Sequence, residues 1–200
     1  MKADEIKASL GEYFHRECDI RDEEMKSVYE YFSHRRVKKG QYILNEGDIC
    51  RYNNFVVQGS FRLFLVDENF KEHNIQFAFE NWWIGDAVSF FKQQPSQSNI
   101  QAMENSVILR ISFQDQEKML KNHPVINDLF RKKFQNAMMN HISRITQLIS
   151  STAKDRYVDF LNKYPSYVNR LSNQNIASYI GVTPEFFSKL RKEYWAKQAS

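Results

Sequence analysis

The chain has 200 residues, 42% of them hydrophobic, with 28 basic and 24 acidic side chains and a net charge of +4. This is ordinary globular material, enough for one large or two small domains; no stretch approaches the roughly 18 consecutive apolar residues of a membrane span. The charged start MKADEIKASL lacks the apolar core of a signal peptide, and two distant cysteines, Cys18 and Cys50, fit free thiols in a cytoplasmic protein rather than an iron–sulfur ligand set.

In chain order, residues 3–14 and 22–34 read as short helices. Asp22 is the expected N-cap of the second, in which Met25, Val28, Tyr29 and Phe32 recur at helical spacing. From Val37 to Ser112 the texture turns to short β-rich runs: 41–45, 54–58, 61–66, 72–79, 99–102 and 106–112. Turn signals such as Lys39-Gly40, Glu46-Gly47-Asp48 and Gln58-Gly59-Ser60 separate them. Closely spaced short strands of this kind predict a sandwich or jelly-roll barrel.

Helical spacing resumes at Phe113–Lys121, with Ser112 as N-cap. Pro124 then opens a long helix to about Ser150. From Met138 its apolar steps are 4, 3, 4, through Ile142 and Ile145 to Ile149, and Phe134 lies one step earlier. The helix is about 40 Å long, and a heptad-like seam on it is best buried against a second copy of itself, which predicts a homodimer; packing on the chain's own sheet is the alternative. Thr152 with Asp155 forms a near capping box and marks a break before a compact C-terminal segment.

The run Asn173–Lys192 has the pattern of a helix-turn-helix. Ile176, Ile180, Val182, Phe187 and Leu190 seal two short helices, Ala177 allows a steep crossing, and Gly181 allows positive φ in the turn. Thr183 can cap the second helix, with Pro184 at its first position. Residues 151–200 hold eight basic and four acidic side chains, so the entire net charge of +4 lies there. A basic segment beside a neutral one is the footprint of a nucleic-acid module, although a solvated face reads the same way.

The order of these parts resembles the Crp–Fnr superfamily of bacterial transcription factors, across nearly the whole chain. Lys38–Asp48 resembles the family's first glycine-rich barrel turn, Phe55–Arg62 its second, and Ile84-Gly85-Asp86-Ala87-Val88 the start of its phosphate-binding cassette. The resemblance implies an α+β fold: an N-terminal jelly-roll (double-stranded β-helix) sensor domain over 1–122 and a long dimerisation helix over 123–150. A helix-turn-helix domain over 151–200 would follow, its usual hairpin wing truncated because Arg191–Ser200 is helix-friendly. It also implies double-stranded DNA with a palindromic operator as partner, a second copy of the chain, and RNA polymerase, with no membrane partner.

The cassette departs from the family pattern. Members that bind cyclic nucleotides place an arginine about eleven residues after the glycine of a glycine–glutamate pair; here that position is Ser96, beside Gln97, and no arginine lies between Gly85 and Arg110. A phosphate there would lack charge-assisted bonds, so cyclic AMP is not the expected effector. Gly85, Asp86, Ala87, Ser96, Gln97 and Ser98 remain the candidate pocket for a different small effector, with no cofactor or metal expected. An empty, degenerate pocket is the alternative. His141, on the long helix, is a further candidate to face an effector or the partner subunit, or else solvent.

Groove-facing positions of the second helix are Pro184, Glu185, Ser188 and Lys189, with Lys192 near the backbone and Gln174 and Thr183 as phosphate contacts. Glu185 can accept from a cytosine amine, and Lys189 can donate to guanine. Phe186 is expected to pack on the preceding helix rather than meet a thymine methyl. Two competing functions remain. A cupin-like metalloenzyme needs clustered histidines on the barrel strands, where His73 stands alone. A sensor or interaction module that no longer reads DNA fits Pro184 and the missing wing.

Overall fold

The computed structural model describes residues 2–198. They divide into two compact units, one holding the described residues up to Leu65 together with Ile75–Phe134, the other Val66–Asn74 and the described residues from Gln135 onward.

The first unit opens with helices α1 (Ala3–Glu17) and α2 (Asp22–Tyr29). The second is shorter than expected: it ends at Tyr29, and its N-cap position is Arg21, with Asp22 the first helical residue. The chain from Ser33 is already strand. Eight strands follow: β1 (Ser33–Val37), β2 (Tyr42–Leu44), β3 (Tyr52–Gln58), β4 (Phe61–Val66), β5 (Glu72–Ala78), β6 (Trp83–Ile84), β7 (Asn99–Ala102) and β8 (Ser106–Ser112). A short helix α3 (Ala87–Lys92) separates β6 from β7. They form two four-stranded sheets, in the orders β1-β8-β3-β6 and β2-β7-β4-β5.

Alternation along β8 decides what each face of the first sheet buries. Val107, Leu109 and Ile111 point to one side, into a core with Ile6, Leu10, Phe14 and Val28 of the two N-terminal helices. Ile108 points to the other, into a core with Val37, Val56, Phe61, Ile84 and Ile100 drawn from both sheets. After β8 comes α4 (Phe113–Asn122), whose N-cap Ser112 accepts from Asp115 N at 3.1 Å.

Pro124 opens α5 (Pro124–Ser150), 27 residues long. Its first turns are anchored by the buried Ile126 and Leu129. Farther along, Phe134, Met138, Ile142, Ile145 and Ile149 are all more than half exposed. The second unit continues with α6 (Ala153–Lys163), capped by a reciprocal Thr152–Asp155 box. A 3-10 turn (Val168–Arg170), α7 (Asn173–Ile180) and α8 (Pro184–Gln198) complete it. No strand follows α8 among the described residues; Ala199 and Ser200, the end of the expected helix-friendly tail, lie outside them.

Candidate nucleic-acid interface

Local rules account for each turn of the α7–α8 pair. Ser172 caps α7 by accepting from Asn175 N at 3.1 Å. Ile176, Ala177 and Ile180 are buried, and Ala177 is fully enclosed. Gly181 ends the helix with φ +74°. Val182 N then reaches back to Ala177 O at 3.0 Å and Gly181 N to Ser178 O at 3.3 Å, a Schellman closure that only a residue tolerant of the left-handed region completes without strain. Thr183 Oγ1 accepts from Phe186 N at 3.2 Å, and Pro184 takes the first helical position, where its missing N–H costs nothing. Phe187 is fully buried and meets the Tyr157 ring of α6 edge-on, with centroids 5.2 Å apart. Tyr194 packs on the same Tyr157 ring at 5.4 Å.

Arginines fasten the C-terminal end of α7. Arg144 of α5 donates to Tyr179 O at 2.9 Å, and Arg156 of α6 donates through Nε to Ile180 O at 2.7 Å. These are terminal carbonyls without helical partners, where a cation also complements the helix dipole. Lys163 Nζ lies 3.3 Å from Tyr179 Oη. The first residues of β5 also hold the same helix. Asn74 N donates to Ser178 Oγ at 2.9 Å, Ser178 Oγ to Glu72 O at 2.8 Å, and Asn74 Nδ2 to Asn175 O at 3.2 Å. None of these clamps was read from the sequence, because each joins residues remote along the chain.

Gln174, Thr183, Pro184, Glu185, Ser188, Lys189 and Lys192 are all exposed. Glu185, Lys189 and Lys192 follow helical spacing on the side of α8 opposite Phe187 and Tyr194, which face the core. They form one outward stripe of a carboxylate and two cations. The Ser188 hydroxyl donates to Pro184 O at 2.9 Å and is thereby engaged within its own helix. Arg191, passed over in the sequence, donates to Asn173 Oδ1 at 2.7 Å and ties α8 to the start of α7. Phe186 departs from expectation. It is 50% exposed rather than packed. At about 100° per residue its neighbour Phe187 occupies the core direction, leaving Phe186 on the flank of the outward stripe.

The cassette residues do come together, but around one another. Asp86 Oδ2 accepts from Ser96 Oγ at 2.6 Å, and Asp86 Oδ1 accepts from Ser89 N at 3.2 Å as the N-cap of α3. Ser98 N donates to Ser96 Oγ at 2.9 Å. Both carboxylate oxygens are thus engaged in bracing the loop. Ser96 and Ser98 are buried, Gly85 is half-buried, and Ala87 and Gln97 are exposed. His141 belongs to the second unit and is exposed; partial desolvation, then the charges of Lys163 and Arg144, hold its pKa below the usual histidine value. His73 pairs with Asp67 at 2.7 Å rather than with a metal-ligand cluster. No group of three His, Cys, Asp or Glu side chains among the described residues could hold a metal, and no helix among them is long and apolar enough to cross a membrane.

Residues 34–123 match the cyclic nucleotide-binding domain. No curated protein matches the chain in sequence. Among solved structures, it is similar to the c-di-GMP responsive global regulator CLP of Xanthomonas campestris (TM-score 0.72, 14% identity, covering 89% of this chain and 93% of that one). It is also similar to a CooA mutant from Carboxydothermus hydrogenoformans (0.72, 18%, 86% and 79%) and to FixK2 from Bradyrhizobium japonicum (0.71, 16%, 84% and 86%). At these identities the likeness is one of fold, and it extends over both the residues that match this domain and the helices that follow them.

Proposed function

We propose that the protein is a homodimeric, DNA-binding transcription regulator of the Crp–Fnr type, with residues 1–122 as sensor, α5 as dimerisation helix and 151–200 as reading head. The observation that carries this reading is the α7–α8 pair. Its core side is sealed by Phe187 and its helix end is clamped by Arg144 and Arg156, while Glu185, Lys189 and Lys192 stand clear of the fold. A rigid helix with a solvated, mostly cationic stripe is what the major groove accepts. The exposed seam from Phe134 to Ile149 supports a second copy of the chain as partner, because contiguous apolar surface on a helix needs cover. Two reading heads so paired would address half-sites about 34 Å apart on a palindromic operator. The similarity to CLP, a c-di-GMP responsive global regulator, supports the same reading.

The test is selection of binding sites from random duplexes, followed by fluorescence anisotropy on the enriched sequence. Enrichment of a palindrome, with affinity falling steeply and log-linearly with salt, is the expected result. Lys189→Ala should weaken specific binding by about 1–3 kcal/mol. If no sequence is enriched, the protein is instead a sensing or interaction module that does not read DNA.

A further inference from the structure

Arg35 and Arg110 project from the inner face of the first sheet. Residues paired across antiparallel strands share a face. Arg35 pairs with Ile108, and Arg110 pairs with Ser33 on one side and Asn54 on the other. Ile108 belongs to the core between the two sheets, and Asn54 is buried, so these two guanidiniums point into the same space where that core runs out. There, with Arg51 and Tyr52, they line a half-open cleft of about 340 Å³ whose apolar wall includes Ile49 and Ile100.

The charges in this cleft are unbalanced. Asp48 is its one carboxylate, and it already accepts from Asn45 Nδ2 at 3.1 Å. None of the three guanidiniums forms an ion pair among the described residues. Arg110 is held in place: its Nε donates to Ser33 Oγ at 3.1 Å and its guanidinium lies over the Tyr52 ring, 4.5 Å from the centroid. Three like charges around one mouth repel each other, and an oxyanion entering it would relieve that repulsion while accepting forked, charge-assisted hydrogen bonds. No residue of the Gly85–Ser98 cassette lines the cleft.

We propose that this mouth of the β-sandwich binds a small organic oxyanion, its phosphate or carboxylate head held by Arg35, Arg51 and Arg110 and its apolar body lying against Ile49, Ile100 and Tyr52. The proposal deepens the reading of the first unit as a sensor by naming the effector's chemical class and seating it on residues outside the cassette, whose Ser89, Pro95 and Ser96 brace the Asp48–Cys50 wall from behind. The binding itself does not depend on the protein reading DNA.

Isothermal titration of the full chain with phenyl phosphate, phthalate and inorganic phosphate tests it, without DNA present. At least one aromatic probe should bind saturably, one per chain, and more tightly than inorganic phosphate. Phenyl phosphate above phthalate assigns a phosphate ester, and the reverse order a carboxylate. Arg35→Gln and Arg110→Gln should each weaken the better probe by about tenfold or more, while Arg36→Gln, on the opposite face of β1, should leave it within about twofold. Should Arg110→Gln fail to fold by thermal unfolding, Arg35→Gln decides alone. Absence of saturation by all three probes at millimolar concentration overturns the site, as does binding that Arg35→Gln leaves unchanged. A negative result here leaves the DNA reading standing, since that is judged by the selected duplexes.

Discussion

Arg144 holds Tyr179 twice: a guanidinium nitrogen donates to its carbonyl at 2.9 Å, and the guanidinium lies over its ring, 4.1 Å from the centroid. A second bond from the same terminal nitrogen reaches Asn74 O at 2.9 Å. The long helix is thereby pinned to α7, and burial pushes the pKa of Arg144 down from its ordinary value.

Arg144→Met should therefore lose more than surface charge. It leaves two part-buried carbonyls without this donor and removes the stacked cation, for a cost of about 1–3 kcal/mol in denaturant unfolding followed by tyrosine fluorescence. Arg144→Lys should recover only part, because an ammonium does not reproduce the planar stack. An Arg144→Met variant as stable as the wild-type protein would show the clamp to be dispensable.

Phe186 and Phe187 are adjacent in sequence and opposite in consequence. Phe187→Ala empties a fully buried site against Tyr157 and should cost about 3–5 kcal/mol. Phe186→Ala, at a half-exposed position, should stay within about 0.5 kcal/mol by the same unfolding assay. On DNA the ranking reverses. Phe186→Ala should change which bases are selected beside the Glu185 and Lys189 contacts. Replacing thymine by uracil in the operator, which deletes only a methyl group, should mimic the effect if the ring reads that methyl.

Ile142→Glu together with Ile145→Glu places two carboxylates in the exposed seam of α5. Sedimentation velocity should show the wild type as a dimer and the variant as a monomer. Affinity for a palindromic duplex should fall by about a hundredfold, whereas that for an isolated half-site should change little. A wild-type monomer at micromolar concentration would refute the pairing outright.

Through His141, stability is expected to depend on pH below about 6.5. Its folded-state pKa is depressed, first by burial and then by Lys163 and Arg144, so the unfolded chain takes up the proton more readily. The stability it contributes is full above the unfolded value of about 6.5 and is lost as pH falls from there through the lower folded value. Chemical denaturation at steps from about pH 7.5 to about pH 5 should show midpoints dropping on acidification, and His141→Gln should flatten that stretch. A midpoint that rises on acidification in the wild type alone would contradict the assignment.

What could be read from the chain divides by whether the signal is local. The caps at Ser112, Thr152 and Thr183, the glycine turn at Gly181 and the start of α5 at Pro124 are set by neighbours within four residues, and each stands where the spacing placed it. β1 was hidden because Ser33-His34-Arg35-Arg36 breaks hydrophobic alternation. Arg35 occupies an inward position for which an apolar residue is the usual signal, and the same anomaly marks the cleft. β6 has two residues and α3 has six, too short for any period to register. The exposure of Phe186 was missed because two consecutive aromatics both read as core, and only the rotation of α8 separates them.

The start of β5 has one practical outcome. Glu72 and Asn74 supply the acceptor and donors for Ser178 and Asn175, so the helix-turn-helix completes its polar contacts with atoms from some hundred positions upstream. A fragment trimmed to the last 66 residues would strand the Ser178 hydroxyl and forfeit the Asn74 anchor for Arg144. The smallest autonomous unit around α7 and α8 is accordingly not a contiguous stretch of this polypeptide, and severing it would be expected to yield a looser fold than that of the parent.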